Sequence, residues 1–157
     1  MKRAVIFYSF EGNTKAAAEA IVKHLEADIF EIEPVKPIPK SGLKYLVGGM
    51  QSTTKSCPEI KLLNCNLSDY DEIILGTPVW AWKPAAPVWS FIKNNNVNEK
   101  IKYVFTLSGD GTNEGCMKHL KKELNSIKFD VALADKKNPV SSENKEKLKQ
   151  FINEIKA

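Results

Sequence analysis

A strand-like apolar run near the start of the chain stops at a hydroxyl residue, and a loop that could hold an anion follows it. The run Val5-Ile6-Phe7-Tyr8 leads to Ser9, and helix-forming residues begin at Lys15. The first loop between them consists of Ser9, Phe10, Glu11, Gly12, Asn13 and Thr14. A strand–loop–helix junction points unpaired backbone N–H groups and the positive end of a helix at one place. We therefore expect the first loop to hold a phosphate group.

The sequence of the first loop excludes two common phosphate sites. It contains no GxxxxGK[ST] segment, as nucleoside triphosphate sites require, and no GxGxxG fingerprint of dinucleotide sites. Glu11 would repel a phosphate, so we expect its side chain to point away from the site. The alternative is an ordinary turn in which Ser9, Asn13 and Thr14 only cap the helix.

A second loop offers aromatic rings for stacking. It consists of Thr77, Pro78, Val79, Trp80, Ala81 and Trp82. An indole face can stack on a planar ring while its N–H finds a hydrogen-bond partner. We expect Trp80 to be the stacking residue, whereas Trp82 could equally fold back on the core. Trp89 lies inside the helix that follows, and we expect it in the core.

A third loop is polar and rich in glycine. It consists of Ser108, Gly109, Asp110, Gly111 and Thr112. Its backbone N–H groups could surround a heterocycle that carries carbonyl acceptors, and the alternative is a purely structural turn. The calcium-binding pattern of an EF-hand is missing. The spacings of Cys57, Cys65 and Cys116 fit neither a zinc site nor a redox pair, so we expect no metal and three free thiols.

Strands and helices alternate along the chain and must position these loops. The first apolar run is continuous, which is typical of a strand covered on both faces, whereas the second strand alternates and is expected at an edge. The predicted strands are 2–9, 28–33, 72–76, 101–107 and 129–134, and the predicted helices are 13–25, 84–94, 113–124 and 142–155, the last capped by Ser141 or Ser142. Between residues 34 and 68 we expect irregular chain, with a short helix at 43–46, a polar loop at 51–56 and a turn from 67.

This alternation predicts an α/β fold with an open, doubly wound parallel sheet of five strands. The carboxyl ends of such strands share one edge of the sheet, where ligands bind. The three loops follow strands one, three and four, so they converge there. A phosphate grip, an aromatic platform and a polar loop together describe a site for flavin mononucleotide (FMN).

Length and charge restrict the number of domains and the kinds of partner that the protein could have. A chain of 157 residues predicts one domain spanning 1–157. The net charge is +4, but the basic residues alternate with glutamates on amphipathic helices, so we expect no nucleic-acid binding. No apolar run reaches the roughly 20 residues of a membrane helix. Since residues 1–3 lead directly into a strand without a signal peptide, we expect a cytoplasmic protein that does not act on membranes.

The chain resembles the flavodoxin family, and in particular short flavodoxin-like proteins with a Thr-Pro-x-Trp loop. The residues that carry the resemblance are 7–14, 76–80 with 86–87, and 108–109. The resemblance implies a three-layer fold with strand order 2-1-3-4-5 and non-covalent FMN. It implies that the first loop holds the phosphate, the second flanks the isoalloxazine and ribityl chain, and the third closes over the ring edge. It further implies that the protein has no catalytic side chain and carries electrons at low potential. It also implies a monomer that binds redox partner proteins.

Three departures from the family pattern qualify this expectation. Glu11 stands where the family usually has Thr or Ser. The second loop lacks the Gly found beside flavin N5 in many flavodoxins, and Ala81 or Trp82 would resist the peptide flip that accompanies one-electron reduction there. The pI of about 8.9 contrasts with the acidic family and favours an acidic partner. The alternative function is an FMN-dependent oxidoreductase that uses NAD(P)H to reduce quinones or other small molecules.

Overall fold

The computed structural model describes residues 1–40, 57–135 and 143–157. The strands are β1 (Arg3–Phe7), β2 (Ala27–Glu31), β3 (Glu72–Trp80), β4 (Lys83–Pro84), β5 (Ile101–Ser108) and β6 (Phe129–Ala134). The helices are α1 (Asn13–Val22), α2 (Ala86–Asn94), α3 (Glu114–Glu123) and α4 (Asn144–Lys156), and a 3₁₀ turn covers Leu67–Asp69. The helix expected at 43–46, the loop expected at 51–56 and the capping residues Ser141 and Ser142 lie outside the described residues.

The strands form a sheet in the order β2-β1-β3-β5-β6, and β4 pairs with β3 at one end. All neighbours along the main path are parallel, and β4 is antiparallel to β3. Because the fourth and fifth predicted strands are β5 and β6, the predicted order 2-1-3-4-5 is confirmed. The alternating strand β2 lies at the edge, as its pattern predicted. This order places the carboxyl ends of β1, β3 and β5 side by side.

Apolar side chains cover both faces of the sheet. On one face, Ala4 and Ile6 pack in a buried cluster with Trp89 of α2. On the other, Val5 and Phe7 pack in a second cluster that includes residues of α1 and α4. The continuous apolar run of β1 is therefore explained by burial on both sides. Trp89 is 1% exposed, so its predicted place in the core is confirmed.

The structure corrects the sequence prediction at the second loop. The predicted strand ended at residue 76, but β3 continues to Trp80 and returns through β4 as a short hairpin. The predicted helix began at Pro84, but Pro84 belongs to β4 and α2 begins at Ala86, with Pro87 in its first turn. Val79 and Trp80 are good strand formers, and Pro84 is tolerated because a terminal two-residue strand needs few ladder hydrogen bonds.

No helix in the described ranges is both long and apolar enough to cross a membrane. Cys65 and Cys116 are free thiols. Cys116 on α3 is buried, and burial raises the pKa of its thiol to about 12. That thiol therefore remains protonated at neutral pH and packs as a small apolar side chain.

Candidate cofactor site

A cleft of about 440 Å³ opens at the carboxyl ends of the parallel strands. Each of the three predicted loops contributes to its wall, although the loops are far apart in sequence. The lining residues are Phe10, Glu11, Asn13, Thr14, Pro78, Val79, Trp80, Ala81, Leu107, Ser108, Gly109 and Asp135. The strand order causes this convergence, since β1, β3 and β5 are neighbours that end at the same edge.

The first loop is shaped by Ser9 and Gly12. The Ser9 hydroxyl oxygen accepts hydrogen bonds from the backbone N–H groups of Gly12 (3.1 Å) and Lys15 (3.2 Å). Gly12 has a φ of 95°, which glycine adopts at little cost. Ser9 and Gly12 do not line the cleft, whereas Asn13 and Thr14, at the start of α1, do. Ser9 and Gly12 thus set the entry into the helix, and the helix N-terminus faces the cleft through its first two residues.

Trp80 forms an aromatic wall of the cleft. Its ring lies 5.6 Å from that of Tyr8 and 5.7 Å from that of Phe10, centroid to centroid, and is nearly perpendicular to both. Such edge contacts are favourable between aromatic rings and restrict the orientation of the indole. Trp80 is half-buried and lines the cleft, so part of its surface is available to a ligand.

Two other predicted residues of the second loop lie outside the cleft lining. Thr77 is fully buried, and its hydroxyl accepts from the N–H of Ala85 (3.0 Å) and donates to the carbonyl of Pro78 (2.9 Å). It therefore joins β3 to the start of α2. Trp82 is 77% exposed and borders a neighbouring depression. Pro78, Val79, Trp80 and Ala81 are the members of this loop that reach the cleft.

The third loop is organised around Asp110. Its carboxylate oxygen accepts from the N–H (3.0 Å) and hydroxyl (2.8 Å) of Thr112 and from the hydroxyl of Ser108 (3.1 Å). The Thr112 hydroxyl and N–H, with the Ser108 hydroxyl, hold the pKa of Asp110 below its usual range. Gly111 permits the turn with a φ of 74°. Ser108 and Gly109 line both the cleft and a neighbouring depression, whereas Asp110 and Thr112 border the depression alone.

Asp135, which the sequence patterns did not predict as a site residue, lines the cleft directly after β6. Its backbone N–H donates to the carbonyl of Ser108 (2.8 Å), which ties it to the third loop. The signal was present, because β6 is the last strand of the sheet and also ends at this edge. Burial raises the pKa of Asp135, and the nearby charge of Glu11 raises it further.

The charge of the cleft is negative. Glu11 lines it and influences Asp135, which differs from the expectation that the Glu11 side chain points away. Among the described residues that line the cleft there is no Lys or Arg. An anion bound here would therefore depend on backbone N–H groups, on the helix N-terminus and on the side chains of Asn13 and Thr14.

The fold and the cleft define a doubly wound α/β protein with a ligand site at the carboxyl ends of its strands. The sequence pattern of the family described as Flavodoxin matches residues 2–155. Since this match covers nearly the whole sequence, the chain belongs to the flavodoxin family. No curated protein sequence gives a significant match.

Solved structures agree with this assignment. A flavoprotein from Lactobacillus acidophilus NCFM, solved in complex with FMN, is 25% identical, covers 93% of this chain and 97% of its own, and has a TM-score of 0.70. A predicted flavoprotein from Bacteroides eggerthii DSM 20697 is 22% identical, covers 99% of this chain and 98% of its own, and has a TM-score of 0.78. A flavodoxin from the domain Archaea is 17% identical, with full coverage of both chains and a TM-score of 0.56. The last two similarities concern the fold.

Proposed function

We propose that this chain is a single FMN-binding domain that transfers electrons at low potential between redox partner proteins. The observation that carries the proposal is the cleft itself, which joins a helix N-terminus, an indole wall and a polar loop. The Lactobacillus acidophilus flavoprotein, which was solved with FMN, supports the choice of cofactor. FMN, when bound, supplies reversible transfer of one or two electrons.

The cleft fits this cofactor in size and chemistry. A volume of about 440 Å³ lies within the range of small-molecule sites. A Cβ atom added to Gly12 or Gly109 would contact nothing within 4 Å, so the backbone at both glycines borders open space. Asn13 and Thr14 would hold the phosphate, Trp80 would contact the ring system, and Ser108 with Gly109 would meet its polar edge.

The residues around the cleft would also tune the cofactor. Reduction adds negative charge to a bound group, and the carboxylates of Glu11 and Asp135 oppose that charge. The carboxylate of Asp110, in the third loop, is instead bound by its own loop. We therefore assign the low potential to Glu11 and Asp135, together with contact to Trp80.

The surface charge suggests the chemistry of the partner. A net charge of +4 favours an acidic redox protein, because complementary charge accelerates encounter. The free thiols agree with a reducing compartment, and we propose that the protein acts as a monomer in the cytoplasm.

Cofactor binding is tested with purified protein. We expect a yellow protein with the visible absorption of flavin, and quenching of FMN fluorescence when FMN is added to the apoprotein, saturating at one FMN per chain. Riboflavin, which lacks the phosphate, serves as a matched ligand and should bind more weakly. A colourless protein that leaves FMN fluorescence unchanged would contradict the proposal.

A second candidate is an FMN-dependent oxidoreductase that reduces quinones or other small molecules with NAD(P)H. It is favoured by the depression of about 660 Å³ beside the cleft, which is large enough for a second ligand. Steady-state oxidation of NADH or NADPH in the presence of a quinone distinguishes the two functions. An electron carrier oxidises almost no NADH or NADPH under these conditions, whereas sustained oxidation that requires FMN would establish the enzyme.

A further inference from the structure

A groove of about 800 Å³ lies between α1 and α4, on the face of the sheet that both helices cover. In the part of the chain that the structure describes, the groove and the cofactor cleft have no lining residue in common. The cleft meets α1 at Asn13 and Thr14, whereas the groove begins at Ala20, near the other end of that helix. At the far end of α4, the carbonyl of Ile155 accepts a hydrogen bond from Arg3, the first residue of β1. The groove therefore extends toward the amino ends of the strands, away from the cleft.

The floor of the groove is apolar. It is formed by Ala20 of α1 and by Leu148 and Ile152 of α4. Leu148 and Ile152 are four residues apart, so they lie on the same side of α4. Ile152 is 6% exposed and lies at the bottom, whereas Ala20 and Leu148 are half-buried. Because Ala20 carries only a methyl group, the two helices leave a recessed apolar strip between them.

The rim of the groove is basic. Lys145, Lys149 and Lys156 of α4 line it, and His24 lines it from the turn after α1. The lysines occupy positions i, i+4 and i+11, which lie on one side of a helix, and at the rise of a helix their row is about 16 Å long. Among the described residues that line the groove, Glu146 is the one acid. The lining therefore carries a net positive charge.

The charge of these three lysines is not neutralised by neighbouring carboxylates. Other lysines of the chain are paired with acids, as Lys61 is with Glu33 (2.8 Å) and Lys128 is with Glu72 (3.1 Å). Within the described ranges, none of the three groove lysines has a carboxylate oxygen within 4.0 Å of its Nζ atom. Their charge is therefore available to a partner, and an acidic partner would be attracted and oriented by it.

The shape of the groove selects among acidic partners. An anionic bilayer presents a broad, nearly flat surface, so it would meet the lysines without reaching Ile152. A nucleic-acid backbone would pair with the lysines but would leave the apolar floor without a partner. A helix can place a ridge of apolar side chains between α1 and α4 while its flanking carboxylates meet the lysines.

We propose that the groove between α1 and α4 docks an acidic amphipathic helix of a partner protein, whose apolar face packs on Ala20, Leu148 and Ile152. The inference goes beyond the proposed function, because docking here leaves the cofactor cleft open and requires neither FMN nor electron transfer. A docked partner and bound FMN are therefore compatible on one chain.

The probe is a fluorescein-labelled peptide of about 18 residues, long enough to form a helix, with Leu along one face and Glu along both flanks. Fluorescence anisotropy follows its binding to apoprotein and to FMN-saturated protein, at low and high salt. A peptide of the same length with Lys in place of Glu is the matched control ligand. Amide NMR shifts of isotopically labelled protein locate the site.

Two variants separate the charge of the groove from its shape. Lys145→Gln combined with Lys149→Gln removes two charges from the rim. Its matched control is Lys118→Gln combined with Lys122→Gln, an exposed pair with the same spacing on α3, outside the groove. Ala20→Leu fills the floor with a residue that favours a helix. Far-UV circular dichroism establishes that each variant is folded.

We expect one saturable site for the acidic peptide in both forms of the protein, with affinity that falls as salt is added and with shifts at Ala20 and Ile152. The double substitution on α4 should weaken binding roughly fivefold, since each exposed charge contact contributes modestly. Ala20→Leu should weaken it at least roughly tenfold, because the added side chain clashes with the docked helix. The double substitution on α3 should leave the affinity unchanged.

A lack of saturable binding would overturn the proposal, as would equal affinity for the Lys peptide or loss of binding when FMN saturates the protein. Equal effects of the two double substitutions, or unchanged affinity in folded Ala20→Leu, would also overturn it. If Ala20→Leu does not fold, the lysine variants and the NMR shifts still decide the inference. Binding of phosphatidylserine vesicles by a protein that does not bind the peptide would assign the groove to a membrane surface instead.

Discussion

The three tryptophans of the chain lie within ten residues of one another and occupy three different environments. Trp89 is buried in the core, Trp80 is half-buried at the cleft, and Trp82 is 77% exposed. Residue type alone predicts an apolar contact for each of them. Trp80 is the last residue of β3 whereas Trp82 lies in the turn of the hairpin, and α2 buries Trp89.

At this scale we predict that Trp80→Ala weakens FMN binding by roughly tenfold, since loss of one aromatic stacking partner is worth about 1–3 kcal/mol. Titration of FMN fluorescence with apoprotein measures the dissociation constant. Leu62→Ala, at an exposed site outside the cleft, is the control and should leave it unchanged. Unchanged affinity in Trp80→Ala would move the stacking role to Trp82.

Asp135 leads to a second prediction at the residue scale. Because burial and Glu11 raise its pKa in the folded chain, its charged form is disfavoured there. The folded state therefore loses stability as the pH rises from the ordinary pKa of Asp, about 3.9, through the raised value. We predict that Asp135→Asn is more stable than the wild type at pH 7, binds FMN more tightly, and equals the wild type below about pH 4.

Urea unfolding across this pH range measures the stability difference, and FMN titration at pH 7 measures the affinity. Glu154→Gln is the control, because Glu154 is an exposed carboxylate on α4 outside the cleft. A stability difference between Asp135→Asn and the wild type that is constant with pH would show that the charge of Asp135 is not its cause.

At the scale of elements, the β3–β4 hairpin is the feature that the sequence did not predict. Its sequence lacks the Asn-Gly or Asp-Gly signal of a two-residue turn, so the local pattern predicts a loop. The hairpin forms because β3 continues beside β5 and because the first turn of α3 packs against Trp82. These contacts come from parts of the chain more than 20 residues away, beyond the reach of local patterns.

We predict that Ala81→Gly stabilises the apoprotein by about 1 kcal/mol, because Gly adopts the observed φ of 49° without strain. Chemical denaturation gives the free energy of unfolding. Ala16→Gly, the same substitution inside α1, should instead destabilise by about 1 kcal/mol. If both substitutions destabilise equally, the turn is not strained at Ala81.

At the scale of the whole molecule, Glu72 joins distant parts of the chain. It is 4% exposed, and its carboxylate accepts hydrogen bonds from Arg3 (3.0 Å) and Lys128 (3.1 Å). Arg3 also donates to the carbonyl of Ile155 in α4 (3.1 Å). Burial raises the pKa of Glu72, but the Lys128 and Arg3 contacts prevail and hold the pKa below its usual range.

We predict that Glu72→Gln destabilises the protein by about 2 kcal/mol at pH 7, since hydrogen bonds to a charged group are worth about 1.5–3 kcal/mol. The Glu72 contribution is present above the ordinary pKa of Glu, about 4.3, and is lost as the pH falls through the lower folded value. The difference from the wild type should therefore shrink below about pH 4.

Thermal or urea unfolding at several pH values measures this effect. Glu33→Gln is the matched control, because the Glu33–Lys61 pair is more than half exposed on both side chains and should contribute little. Equal destabilisation by the two substitutions would show that burial of Glu72 does not strengthen its contacts.

The sequence by itself determined the alternation of strands and helices and the positions of the three loops, because local periodicity and the short patterns around Ser9, Trp80 and Ser108 are encoded in neighbouring residues. The strand order within the sheet followed from the resemblance to the flavodoxin family that these patterns carry. The tertiary structure alone decided which loop residues reach the cleft. The Thr77 hydroxyl accepts a hydrogen bond from the N–H of Ala85, the backbone of Trp82 lies against Gly115 of α3, and Asp135 joins the site directly after β6. These outcomes depend on contacts between segments that are distant in sequence, and the side-chain pattern of a single loop carries no information about them.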